Sequence, residues 1–261
     1  MLNLEHDFIS YLVNHPDFGD KFACQSGSPI GPHWRLDLDM FKLFRCRAAM
    51  TGVLGHPQWR QLLTMHEEIY HELCVEFYST FSHIVPASKK SRSRVEFMLG
   101  GQPLVLTYNA FAQAIGLNTD HITMMERQYT VDFNYQGAFR ALCRQEHEQD
   151  EFEGSRTNAV RLKTQWRILH TLLTRSVVPN LQSGHLMTNR GLIALYSMRS
   201  SAELIHLGSL IATSFARCLG QNRVDTMHMR GIITRIARHF RVDLARYTRL
   251  KRTESFPVET L

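Results

Sequence analysis

The sequence predicts a mainly α-helical fold: a helical bundle carrying one small β-hairpin near residues 94–107. Three observations carry that prediction. Apolar residues return every three or four positions over residues 57–77, 162–173 and 229–240, the period that gathers them on one face of a helix. One stretch breaks this rule, because Val95, Phe97 and Leu99 alternate with Glu96 and Met98 and run into Gly100-Gly101. The apolar share of 44%, beside 21% charged residues, is enough for a sizeable core in 261 residues.

Taken in order, residues 2–13 read as a short helix with Leu4, Phe8, Ile9 and Leu12 on one side. Gly, Ser and Pro between Asp17 and Pro32 mark a loop, and a second helix runs from Asp39 to Met50. Pro57 stands in the first turn of the longest helical pattern, where its missing N–H costs nothing. Trp59, Leu62, Leu63, His66, Ile69, Tyr70, Leu73 and Phe77 continue that pattern as one helix. In the hairpin, Gly100-Gly101 supplies positive φ for the turn into a second strand, Leu104 to Leu106. Thr107 then caps a short helix that carries Phe111 and Ile115 and stops at Gly116.

A helix follows from Tyr135 to Arg144, and the acidic segment from Gln145 to Gly154 reads as a mobile link. Leu162, Trp166, Leu169 and Leu173 form the stripe of a helix that Val178-Pro179 ends. Thr188 caps a helix holding Leu192, Leu195 and Tyr196. Ser200-Ser201-Ala202-Glu203 reads as a capping box ahead of a helix that is apolar nearly all round and closes at Gly220. Asp225 or Thr226 opens the last helix, and the tail from Arg246 through Leu261 reads as frayed.

Charge is unevenly laid out. Residues 1–153 hold 13 Lys and Arg against 19 Asp and Glu, a net −6, whereas residues 154–261 hold 17 against 5, a net +12. The expected organisation is therefore an acidic N-terminal helical part with the central hairpin, 1–153, and a basic C-terminal helical part, 154–261, able to pack as a single domain. Five cysteines, Cys24, Cys46, Cys74, Cys143 and Cys218, are scattered without a CxxC pair, which suits a reducing compartment. The N-terminus has acids where a signal peptide needs a basic start, and the apolar run from Leu204 to Leu219 is interrupted by His206 and Arg217. The expected location is intracellular, cytoplasm or nucleus, with no membrane partner.

Motifs for chemistry are scarce. His66-Glu67-Glu68-Ile69-Tyr70-His71 invites comparison with the HExxH zinc signature, but position i+4 is Tyr70, so the two histidines do not share a helix face. On this reading His66 is partly buried and His71 lies at the surface. No phosphate loop, nucleophile elbow or paired-carboxylate spacing occurs, so neither an enzyme, a cofactor, a metal nor a small-molecule substrate is expected. The last helix is the most suggestive feature. Met229, Ile232, Ile233, Ile236, Ala237 and Phe240 occupy one arc, and Arg230, Arg235, Arg238 and Arg241 much of the opposite side. Arg246, Arg249, Lys251 and Arg252 continue the basic run past Tyr247. These eight side chains are the candidate phosphate contacts for RNA or DNA.

Five blocks in order resemble the C-terminal domain of the first-open-reading-frame product of plant Athila-type retrotransposons. They are WRQLLTMHEEIYHELCVEFYSTF from Trp59, VEFMLGGQPLVLTYNAFAQAIGL from Val95, LKTQWRILHTLLTRSVVP from Leu162, TNRGLIALYSM from Thr188 and GIITRIARHFRVDL from Gly231. The resemblance implies a plant element of Ty3/gypsy type; the family assigns its product no established molecular role and supplies no catalytic residues. The leading expectation is a non-enzymatic structural or Gag-associated protein that self-associates or binds element RNA or DNA. The CCHC knuckle, protease, reverse transcriptase and integrase signatures of such elements do not occur in this sequence. The competing expectation is a protein–protein interaction module that uses an apolar groove beside the hairpin and binds no nucleic acid.

Overall fold

A computed structural model describes residues 33–35, 56–86, 93–117, 133–178, 185–199, 205–220, 229–250 and 253–255. The helices expected over residues 2–13 and 39–50, and the capping box at 200–203, lie outside the described residues. Within them the fold is mainly α, with eight α-helices and short strands. The chain divides into two compact units, each assembled from separated segments on both sides of residue 153, so neither follows the charge division.

The first unit contains residues 66–119 and 212–253. Its segment from residue 66 onward opens with strand β1 (Ile69–Tyr70) and helix α2 (His71–Thr80), with α1 (Pro57–Leu63) belonging to the other unit. The long helix expected across residues 57–77 is therefore interrupted between Leu63 and His71. Glu67 and Glu68 lie in the break and are held by side chains more than 160 residues away, which a local apolar period does not encode. His66 is exposed in this break, and His71 is half-buried at the start of α2.

Strands β2 (Ser82–Ile84), β3 (Arg94–Leu99) and β4 (Gln102–Thr107) form an antiparallel sheet in that order. Leu99 opposes Gln102 across the turn, where Gly100 and Gly101 both take positive φ, 65° and 75°. This is the two-residue hairpin whose twist matches the strands. Its flanking pair is hydrogen-bonded, and the alternation then puts Pro103 at an outward-facing edge position. There its missing N–H breaks no ladder bond and blocks a further strand from pairing. Val95, Phe97 and Leu99 are buried, as their alternation predicts.

Helix α3 (Tyr108–Ile115) starts with the Ala110 N–H donating to Thr107 Oγ1 at 3.3 Å and ends at Gly116, φ 85°. Helix α7 (Leu207–Gly220) crosses the boundary between the units, and its Phe215 enters this core. Phe215 lies 4.9 Å from Phe77, 5.5 Å from Phe81 and 6.4 Å from Phe111, ring centre to ring centre. Such clusters dominate core burial energetically. The unit is completed by α8 (Arg230–His239), packed on α2 and α3, and by β5 (Arg249–Leu250), which pairs antiparallel with β1. The tail is thus not frayed as far as Leu250. Helix α8 begins at Arg230, with Met229 in the left-handed region; the expected opening residues, Asp225 and Thr226, lie outside the described residues.

The second unit contains α1, α4 (Tyr135–Leu142), α5 (Thr164–Arg175), α6 (Asn189–Arg199) and the first residues of α7. Thr188 caps α6 through the Gly191 N–H at 3.0 Å. Helix α7 starts at Leu207, where the Ser209 N–H donates to His206 Nδ1 at 3.0 Å. Trp59 Nε1–H donates to Ser197 Oγ at 3.2 Å, tying α1 to α6. The acidic segment expected as a mobile link is instead folded onto α4. The Gln136 amide donates to the Asp150 carbonyl at 2.9 Å and accepts from the Phe152 N–H at 2.8 Å. Phe152 stacks on Tyr135 at 6.0 Å.

Candidate nucleic-acid interface

The eight candidate basic residues separate into distinct environments. Arg235, Arg238 and Arg249 are brought together. Arg235 Nε is 3.3 Å from Glu67 Oε1, and Arg238 Nη1 donates to Glu67 Oε2. Arg238 Nη2 also lies 3.8 Å from Glu68 Oε2, while Arg249 Nη1 is 2.9 Å from Glu68 Oε1. Two adjacent carboxylates therefore gather three guanidinium groups, and the cluster carries one net positive charge.

The backbone fixes this arrangement. Thr234 Oγ1–H, buried on the inner side of α8, donates to the Glu68 carbonyl at 2.6 Å and anchors the helix against the β1 approach. Pairing of Tyr70 with Arg249 across β1 and β5 sets Arg249 beside Glu68. The Tyr70 hydroxyl donates to Glu68 Oε2 at 2.7 Å. That hydrogen bond, with Arg249 and Arg238 adding to it, holds the Glu68 carboxyl below the usual carboxylate range. The same hydrogen bond pushes the Tyr70 hydroxyl above its usual range. Glu67 is buried, whereas the side chains of Arg238 and Arg249 remain 47% and 63% exposed. A buried carboxylate needs its partners, so Arg235 and Arg238 have a structural duty whatever else they contact.

The remaining candidates lie elsewhere. Arg230 is only 3% exposed, which corrects its expected place on a solvated face. Burial pushes its pKa down from the ordinary arginine value, partly offset by nearby Cys74 and Tyr78. The buried arc of α8 is wider than its apolar residues indicate, since Gly231 and Thr234 are buried too. Arg246 pairs with Asp243 at 2.9 Å. Lys251 and Arg252 lie outside the described residues.

Arg241 has a backbone role. It takes φ 57° just past the end of α8, where the Val242 N–H reaches the Ala237 carbonyl at 2.9 Å and the Arg241 N–H reaches the Arg238 carbonyl at 3.1 Å. This two-bond closure favours glycine at the left-handed position. Arg241→Gly is therefore expected to stabilise the protein by about 0.5–1 kcal/mol, read as a rightward shift of the urea unfolding midpoint with an unchanged slope.

The acids were the part of the site that the sequence reading missed. Glu68, Glu72 and Glu76 recur every four residues, a signal present in the sequence but overshadowed by the neighbouring histidines. Glu72 Oε2 accepts from the Thr248 N–H at 3.1 Å. Glu76 is fully buried and accepts from the N–H groups of Gly100 and Gly101 at 2.9 and 2.8 Å. Among the described residues, no group of three or more His, Cys, Asp and Glu is placed to hold a metal ion, and no helix is long and apolar enough to cross a membrane. No protein-family model, curated protein or solved structure matches the chain.

Proposed function

We propose that this chain is a non-enzymatic structural or Gag-associated protein of an Athila-type plant retroelement, built as a helical bundle, acting inside the cell and binding RNA or DNA through its basic C-terminal segment. The lineage rests on the ordered sequence blocks. The nucleic-acid reading rests on one observation: Arg235, Arg238 and Arg249 converge on a surface that stays net positive after its own acids are counted. Such a surface neutralises phosphates without reading sequence, with affinity that falls as salt rises.

Fluorescence anisotropy of single-stranded RNA and duplex DNA over a salt series tests this. The informative variant is Arg246→Ala with Arg249→Ala, because both side chains are more than 60% exposed and neither supports Glu67. The expected result is weaker binding and a log-affinity against log-salt slope shallower by about 1.5, the loss of two phosphate contacts. Absence of binding at low salt would remove the nucleic-acid part of the reading. A protein–protein interaction module is the second reading, favoured by Val105, which is 62% exposed on β4 with Pro103 on the same face.

A further inference from the structure

Glu67 and Glu68 already occupy the guanidinium groups of Arg235, Arg238 and Arg249. Each offers two carboxylate oxygens to these guanidinium groups, and together they cancel two of the cluster's three positive charges. The two acids differ in accessibility. Glu67 is buried and gripped by Arg235 and Arg238, whereas the Glu68 side chain is 32% exposed and meets the outer guanidinium groups, those of Arg238 and Arg249. Ion pairs this exposed hold weakly, so an approaching polyanion can compete for their arginines without unfolding the unit. Glu68 itself is kept in place by groups other than its arginines: the Tyr70 hydroxyl on its carboxylate and Thr234 on its carbonyl. The carboxylate therefore remains beside the basic cluster, ready to re-pair when the polyanion leaves.

We infer that Glu68 is an internal phosphate mimic that restrains nucleic-acid binding by Arg238 and Arg249, a built-in autoinhibitory contact. This inference rests on the nucleic-acid reading proposed above. It sets affinity by competition: phosphate must displace a carboxylate already in the site, so weak or isolated phosphates are rejected and closely spaced ones are accepted.

The test compares Glu68→Gln with Glu96→Gln. Both raise the net charge by one, but Glu96 lies in the sheet opposite Ser82 and Val105, and its ion pair is with Arg94 rather than with a cluster arginine. Glutamine at 68 keeps an acceptor for the Tyr70 hydroxyl. With a single-stranded RNA and a duplex DNA of mixed sequence at about 50 mM salt, Glu68→Gln is expected to bind roughly three- to ten-fold tighter, the effect of one neighbouring charge removed in a screened solvent. Glu96→Gln is expected to leave affinity within about two-fold, since its carboxylate pairs with Arg94 and not with the cluster arginines. Equal tightening by both variants would reduce the effect to overall charge and overturn the inference. No tightening by Glu68→Gln, with the wild-type protein binding, also overturns it but leaves the nucleic-acid reading intact. No binding by either protein overturns both. Arginine Nε–H NMR signals of the wild-type chain supply a readout independent of any variant. Arg238 and Arg249 are expected to shift together on adding oligonucleotide, and movement confined to other arginines counts against the competition.

Discussion

Gly100→Ala is expected to destabilise the protein by about 2–4 kcal/mol, against about 1 kcal/mol for Gly101→Ala. Both glycines have positive φ, so both substitutions carry the left-handed strain of an L-residue. Only Gly100 adds a collision, because a Cβ there would stand 2.7 Å from Val242 Cγ1, whereas nothing lies within 4 Å at Gly101. Over-filling a packed contact of this kind costs roughly 1–3 kcal/mol more. The turn also cannot retreat freely, since its two N–H groups are held by the Glu76 carboxylate. Urea unfolding of both variants measures the difference. Adding Val242→Ala to Gly100→Ala should recover part of the loss, and strict additivity of the two changes would show that the collision is not the cause.

Glu76 gives the second large expectation. Burial raises its carboxyl to about 7 from an ordinary 4.5, opposed by the N–H groups of Gly101 and Gly100. A raised acid favours its protonated form in the folded state. Its contribution is present in full below pH 4.5 and is lost as pH rises through 7, about 3 kcal/mol in all. His170 has the opposite sign. It is fully buried, and burial pushes its imidazole down to about 4, so its contribution is present above pH 6.5 and is lost as pH falls through 4. The two slopes nearly cancel over the shared range. Wild-type stability should therefore vary little with pH between about 4.5 and 6.5 on their account. Glu76→Gln should be less stable below pH 6, because the amide nitrogen cannot accept from a glycine N–H. It should also show an uncovered slope, with stability rising by about 3 kcal/mol from pH 4 to 6.5. Urea unfolding at half-unit pH intervals reads both. A Glu76→Gln profile parallel to wild type would rule out the assigned titration.

Features that depend on near neighbours were legible in the sequence. The alternation at Val95, Phe97 and Leu99, the Gly100-Gly101 turn, the Thr107 cap and the Gly116 stop each act within a few residues, and each stands in the structure as its local chemistry requires. The interruption at residues 64–70 was not legible. Its apolar residues keep helical spacing, and the chain leaves the helix there to meet α8 and β5. The site was half legible. Arginine spacing identified α8 as basic on one side, yet the width of its buried arc is set by the elements packed on it, so Arg230 and Arg238 have opposite fates despite similar sequence context. The acidic partners were visible as residues and invisible as partners, because pairing across more than 160 positions leaves no local pattern.

Those long separations also shape the order of folding. Glu68 meets Thr234 across 166 residues, Glu67 meets Arg238 across 171, and Glu72 meets Thr248 across 176. The logarithmic growth of loop entropy makes such closures affordable at equilibrium. They are slow kinetically, because the ordering cost precedes the contacts that offset it. On a ribosome, β1, α2 and the hairpin emerge long before α8 exists. During that interval Glu67 and Glu68 lack their arginines and Phe77 and Phe111 lack Phe215, so this half-made core presents the apolar surface that chaperones bind.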